Sequence, residues 1–397
     1  MKKLLFLSGT FILAFSLLIS SCKKDKDNNT PTGATGTVSG KVIAANGITP
    51  IPNANVFIDV EGEIYFTNSD KSGIFSLEAP AGARILNIQT GNGTIFRAQY
   101  PVAIESGQTT IVPDGTLKLT QAANLAYITG YWDQIETVII DSLGYTADEL
   151  QLSDLDNLAT LQNYSGLFLN CGKSGDLDSL KYSNMKQFVI DGGSIYASDF
   201  AVEYLTGDGN AKFTASHKNN NPSKTNCVGD IGGFINDTTL CTEKIGNTGT
   251  VTADVLAADL QSYLGVNSVD VTYDLSAWEV IQIVTAPWEV LIEDPLTLGP
   301  LALRMTANGS NMKNLKLMDQ GWITICHIPP GNPGNAHTIT ISVNAWPAHQ
   351  AHGDYIGTCQ GGGTSGGNIY FTTFHNHIQG TISQDVQHML EYFVLNL

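Results

Sequence analysis

The chain has 397 residues, 42% hydrophobic and 14% charged, so it can bury a substantial core and is no disordered polymer. Its 20 Lys and Arg stand against 37 Asp and Glu, a formal charge of -17, which argues against nucleic acid as a partner because phosphate recognition needs a positive face. Forty glycines and a low content of long charged side chains favour strands and turns over an all-helical bundle.

Lys2 and Lys3 precede an apolar run from Leu4 to Ile19, which ends at Ser20, Ser21 and Cys22. That order predicts an export signal over 1–21 rather than a structural helix. Ile19-Ser20-Ser21-Cys22 resembles the lipobox of bacterial lipoproteins, and the resemblance implies that Cys22 is lipidated after cleavage. Lys23 to Asn29 follows as a charged run, and 22–35 is read as a flexible tether similar to those of Bacteroidota-type lipoproteins. The expected address is the cell envelope, as an outer-membrane lipoprotein exposed at the surface or in the periplasm and held by its lipid. No second apolar segment approaches the ~20 residues needed to span a bilayer. In an oxidising compartment, sequence neighbours suggest disulfides between Cys227 and Cys241 and between Cys326 and Cys359, leaving Cys171 as a free thiol.

Residues 36–120 alternate apolar and polar side chains in short runs, such as Val38 to Val42 and Ala54 to Ile58, punctuated by Gly, Pro and Asn. The period of two predicts a small all-β sandwich, with Asp70 to Gly73 as a hairpin turn. Gly40-Lys41-Val42, Pro50 to Val56, Gly73 to Leu77 and Pro80-Ala81-Gly82 together resemble the carboxypeptidase regulatory-like domain. That resemblance implies a transthyretin-like fold and an accessory role as a spacer or docking module, with weak glycan binding as the alternative.

From 121 to 397 strands alternate with helices. Leu125 to Ile128, Gly166 to Asn170 and Ser194 to Ala197 read as buried strands, and Trp132 to Leu143, Leu155 to Leu161, a segment ending near Ile190 and one starting at Asp199 as helices. Such alternation predicts a flavodoxin-like, doubly wound parallel sheet with its site at the strand carboxyl ends. Leu167 to Gly172, Gly192 to Asp199 and Asn368 to Asn376 resemble the class I glutamine amidotransferase-like superfamily, including its trehalose-utilisation-type relatives. The resemblance implies a Cys at a sharp strand-to-helix elbow and a later His followed two residues on by Glu. Here Ser198 takes the elbow position, and His375 is followed by His377, so glutamine hydrolysis is not expected. Ser198 with His375, or Cys171 as an alternative nucleophile, remain the catalytic candidates. Asp199 reads as a helix cap.

Two insertions, 217–250 and 319–367, interrupt this rhythm. The first spans Cys227 and Cys241; after it Val251 to Leu264 reads as a helix, and Val269 to Tyr273 and Trp278 to Thr285 as strands returning to the sheet. The second carries Cys326-His327, His337, His349-Gln350-Ala351-His352 with Asp354, and Cys359, and it looks like a Cys/His cassette found in secreted bacterial proteins. His327, His337, His349 and His352 are candidate metal ligands, with zinc the default ion. A disulfide-stapled module without metal and thiolate ligation by the cysteines are the competing readings. Gly361 to Gly367 lacks the Lys-Ser/Thr pair of a phosphate loop.

The expectation is therefore an envelope lipoprotein that binds a glycan, a peptide or an envelope protein without catalysis. A hydrolase using Ser198 or Cys171 with His375 and a metal-binding surface protein are the alternatives.

Overall fold

The structure is a computed structural model describing residues 34–172, 177–207, 233–235, 239–275, 277–297, 299–308, 322–327, 337–342, 345, 349, 355–356, 365–376 and 382–397. Cys22, Cys227, His352, Asp354, Cys359 and His377 lie outside these residues, as do the side chains of Cys326 and His337.

The first strands are β1 (Thr35–Ile43), β2 (Asn55–Val60), β3 (Glu63–Asn68), β4 (Ile74–Pro80), β5 (Gly82–Gln89), β6 (Arg97–Ile104), β7 (Thr109–Ile111) and β8 (Leu117–Lys118). They form two four-stranded sheets, β4-β1-β7 with β8 also on β1, and β3-β2-β5-β6. The alternation seen in the sequence becomes burial: Val38, Phe75 and Leu77 from one sheet share a core with Val56, Ile58, Leu86 and Ile88 from the other. Asp70 accepts the backbone N–H groups of Ser72 and Ile74 at 2.8 and 2.9 Å, and Gly73 takes φ +76°. This turn does not close a hairpin. It carries the chain from β3 to the other sheet, because β4 pairs with β1.

The second part adds β9 (Leu125–Ile128), β10 (Asp148–Leu150), β11 (Gly166–Leu169), α1 (Ser179–Ile190), β12 (Ser194–Ser198), β13 (Leu240–Lys244), β14 (Gly249–Val255), α2 (Ala258–Leu264) and β15 (Ser268–Tyr273). After these come β16 (Glu279–Val284), β17 (Glu289–Asp294), β18 (Gly299–Asn308), β19 (Trp322–His327), β20 (His337–Ser342), β21 (Tyr355–Ile356), β22 (Ser365–Thr372) and α3 (Gln384–Asn396). Nine strands make one sheet in the order β10-β9-β11-β12-β22-β18-β17-β14-β15. The first five are parallel, as predicted, but from β18 to β15 every pairing is antiparallel. The sheet is therefore mixed, and the purely parallel expectation is corrected.

Three local readings change with it. Val251 belongs to β14, and only Ala258–Leu264 of the expected helix is helical. β16 leaves the main sheet and pairs with β13. Trp132 to Leu143 is reduced to a short turn of helix at Ile135–Thr137 running into a π-turn at Val138–Ser142.

The central strands are covered on both faces, and their side chains divide with period two. Leu167, Leu169, Ile195, Ala197, Ile369 and Phe371 pack with Met185, Phe188 and Val189 of α1. Phe168, Tyr196 and Tyr370 point the other way, to Met389, Leu390 and Phe393 of α3. That second core continues without interruption into the N-terminal sheets through Ile139, Leu143, Tyr145 and Phe96. The Phe96 and Tyr145 rings lie 4.5 Å apart, and Asn46 and Thr49 both donate to the Ser142 carbonyl, at 2.7 and 2.9 Å. Ala34–Leu397 is accordingly one compact unit.

At the start of β22 the backbone passes so close to the turn between α1 and β12 that only glycine fits. A Cβ on Gly367 would lie 1.9 Å from the Gly193 carbonyl oxygen. Gly367→Ala should cost about 1–3 kcal/mol in urea unfolding through forced strand displacement; an unchanged midpoint would mean that this crossing is loose.

Candidate functional site

The carboxyl ends of β9, β11, β12 and β22 open on one edge of the sheet, where an open α/β sheet carries its site. Each strand ends in a chemically active residue: Asp133 beyond β9, Cys171 beyond β11, Asp199 after β12 and His375 beyond β22. All four are buried.

The elbow residue is Asp199, not Ser198. Ser198 ends its strand in extended backbone, φ -120° and ψ 133°, whereas Asp199 takes φ +46°. Asp is among the residues that tolerate this left-handed conformation. Its carboxylate does not cap the following helix. Oδ1 accepts the Glu279 N–H at 2.7 Å, and Oδ2 lies 3.5 Å from Cys171 Sγ and 3.7 Å from His375 Nδ1.

Ser198 has a different partner from the expected His375. Its hydroxyl donates to Asp133 Oδ2, and Asp133 Oδ1 accepts the Asn376 N–H at 3.0 Å. The Asn376 side chain in turn donates to the Gln134 carbonyl at 2.9 Å and to Thr137 Oγ1 at 2.7 Å. These bonds fix the segment that carries His375. Sequence reasoning missed Asp133 and Glu279; the available signal was an acid directly after the aromatic pair Tyr131-Trp132 at a strand end.

Burial dominates the electrostatics. It pushes Asp133 up to about 7, Asp199 up to about 8 and Glu279 up to about 7. It also holds the Cys171 thiol well above its ordinary range, with the Asp199 charge adding to the effect. Cys171 is free and fully buried. A thiol so placed stays protonated, which opposes a nucleophilic role.

Cys171, Asp199 and His375 have donor atoms within 4.8 Å of one another and could together hold a metal ion. Beside them is a cleft lined by Tyr273, Trp278, Thr373 and Phe374, with room for about one water-sized group. Trp278 is no ligand platform. Tyr273 stacks on one side at 3.9 Å, and on the other a Cβ at Gly246 would meet the indole at 2.2 Å.

In the second insertion, β19, β20 and β21 form a separate three-stranded sheet. Its register sets His327 opposite His337, and the His327 and His349 rings meet edge to face at 5.2 Å. The expected partnership with His352 and the Cys326–Cys359 bridge lie outside the described residues. Cys241 is disulfide-bonded; its expected partner Cys227 lies outside them too. Among the described residues no helix is long and apolar enough to cross a membrane.

No protein-family profile matches the chain, and no curated protein matches it. Among solved structures it is similar to a ThuA-like protein from Bacteroides uniformis, at 11% identity over 46% of this chain and 76% of that one, with a TM-score of 0.29. It is also similar to a GMP synthase subunit from Thermoplasma acidophilum, at 11% identity over 69% of this chain and 94% of that one, TM-score 0.33. The TIE protein of Bacillus anthracis aligns at 13% identity over 25% of this chain and 19% of that one, TM-score 0.18.

Proposed function

We propose that this chain is a cell-envelope lipoprotein, anchored through Cys22, whose amidotransferase-like part binds a glycan and does not hydrolyse. The observation that carries the binding role is an exposed aromatic pair at the sheet edge. Tyr131 is 68% and Trp132 42% exposed, on the loop between β9 and Asp133. Large aromatic groups left open at a strand-end site offer flat apolar faces suited to the C–H faces of sugar rings. The net charge of -17 favours a neutral glycan over an anionic one.

The absence of hydrolysis rests on chemistry at the elbow. A carboxylic acid stands there, Ser198 is committed to Asp133, and Cys171 is a buried, protonated thiol. Glutamine hydrolysis and serine- or thiol-directed labelling of the folded chain should both be absent. Neutral glycans on an array should be retained, with loss on joint replacement of Tyr131 and Trp132 by Ala. Ammonia release that depends on Ser198 or Cys171 would instead establish the hydrolase reading, and capture of an envelope protein alone would replace the glycan. Cys22→Ser should release the chain from the membrane fraction. His327, His337 and His349 support a second metal reading for the cassette, since register and ring contact bring them to one end of its sheet.

A further inference from the structure

We infer that Cys171, Asp199 and His375 are the protein ligands of one zinc-type divalent ion, whose remaining coordination position opens on the cleft beside Thr373 and Trp278. The glycan reading does not depend on this ion.

A tetrahedral zinc centre with bonds of about 2.3 Å to sulfur and about 2.0–2.1 Å to nitrogen and oxygen places its ligand atoms roughly 3.3–3.6 Å apart. Asp199 Oδ2 lies 3.5 Å from the Cys171 sulfur and 3.7 Å from His375 Nδ1. The Cys171 sulfur and the His375 imidazole lie within 4.8 Å of each other, so an ion would draw these two together by up to about 1 Å while leaving their distances to Asp199 almost unchanged.

One sulfur, one imidazole nitrogen and one carboxylate oxygen make a borderline-soft set suited to zinc, whereas calcium and magnesium take oxygen. Asp133 and Glu279 add further acid around the group, and Lys244 acts on Asp199 and Glu279 from nearby. As the sulfur–metal bond forms, the thiol proton passes to solvent, and the sulfur keeps its electron pair for the metal.

The Glu279 N–H holds Asp199 Oδ1 and leaves Oδ2 for the ion, while the left-handed backbone turns Asp199 away from its helix. Cys171 is fixed through its carbonyl, which accepts the Trp132 N–H at 3.2 Å. His375 precedes Asn376, whose bonds to Asp133, Gln134 and Thr137 anchor that segment. Such outer contacts orient metal ligands and are part of a built site. Three protein ligands beside a cleft that admits one water-sized group are the arrangement of a centre that can take an exogenous ligand.

The test is titration of the chelator-stripped full chain with Co(II), whose thiolate complexes show a charge-transfer band. The band should saturate near one equivalent and vanish in Cys171→Ser. In Asp199→Asn, which keeps the shape of the side chain, Co(II) affinity should fall more than tenfold. The double variant His327→Ala with His349→Ala should retain the band, separating this centre from the cassette. Should Cys171→Ser fail to fold, X-ray absorption of the zinc-loaded native chain decides, with one sulfur and nitrogen or oxygen neighbours expected. No thiolate band in the native chain, a band that survives Cys171→Ser, or one lost with the cassette histidines would overturn the inference. Labelling of Cys171 by a thiol-directed probe in the metal-free folded chain would count against the non-hydrolytic reading and leave the metal result to stand by itself.

Discussion

Replacing Phe96 with Ala is expected to lower the stability of the whole body by about 3–5 kcal/mol, within a single unfolding transition. Phe96 is 1% exposed, packs on Tyr145, and belongs to the core that runs from Val38 to Leu397. Truncation removes a full aromatic side chain from a junction closed by Asn46, Thr49 and Ser142, so the surroundings cannot collapse freely into the space. The tryptophans make the experiment selective. Residues 36–120 contain none, and Trp132, Trp278, Trp288, Trp322 and Trp346 all lie in the second part. If the two parts share one core, a change at Phe96 must move the fluorescence transition together with that seen by circular dichroism. A fluorescence midpoint unmoved by Phe96→Ala would show two independent folding units.

The second large effect concerns Asp133. Burial raises its carboxyl from 3.8 to about 7, so between these values the folded chain holds a proton that the unfolded chain has released. Stability associated with this group is therefore fully present near pH 4, falls as pH rises towards 7, and is flat above that. The full shift corresponds to on the order of 4 kcal/mol as an upper value. Asn is close in shape to the protonated acid: its carbonyl can accept the Asn376 N–H, and its amide can donate to Ser198 Oγ. Asp133→Asn should thus match the native chain near pH 4 and exceed it by up to a few kcal/mol at pH 8. Urea melts of both proteins from pH 4 to 8, with chelator present, check this; parallel curves would mean that Asp133 ionises in the fold as freely as in water.

The parallel half of the sheet was legible because its strands are buried on both faces, and Leu167 to Asn170, Ser194 to Ala197 and Asn368 to Thr372 read as nearly continuous apolar runs. The antiparallel half was harder. In β14 only Ala253 and Val255 are buried, and Leu256, Leu260 and Leu264 repeat every four residues, so a short strand was absorbed into the pattern of α2. The elbow was located to within one residue. Its left-handed backbone is set by tertiary packing, and the preference of Asp for that conformation is only a weak cue. Cys171 and His375 stood out individually, but their meeting with Asp199 depends on β22 lying next to β12. Strand order of that kind is not written in local periodicity.

That neighbour relation also governs the order of assembly. Tyr196 and Thr372, bonded across β12 and β22, are 176 positions apart. Closing so long a loop carries a large entropic cost, and contacts of such separation slow folding. Until Ser365–Thr372 inserts, both β12 and β18 present open edges capable of pairing with another chain. The hazard is transient and sits at the middle of the finished sheet rather than at its rim. Insertion of this one strand seals both edges at once and, in the same step, brings the elbow acid to its histidine.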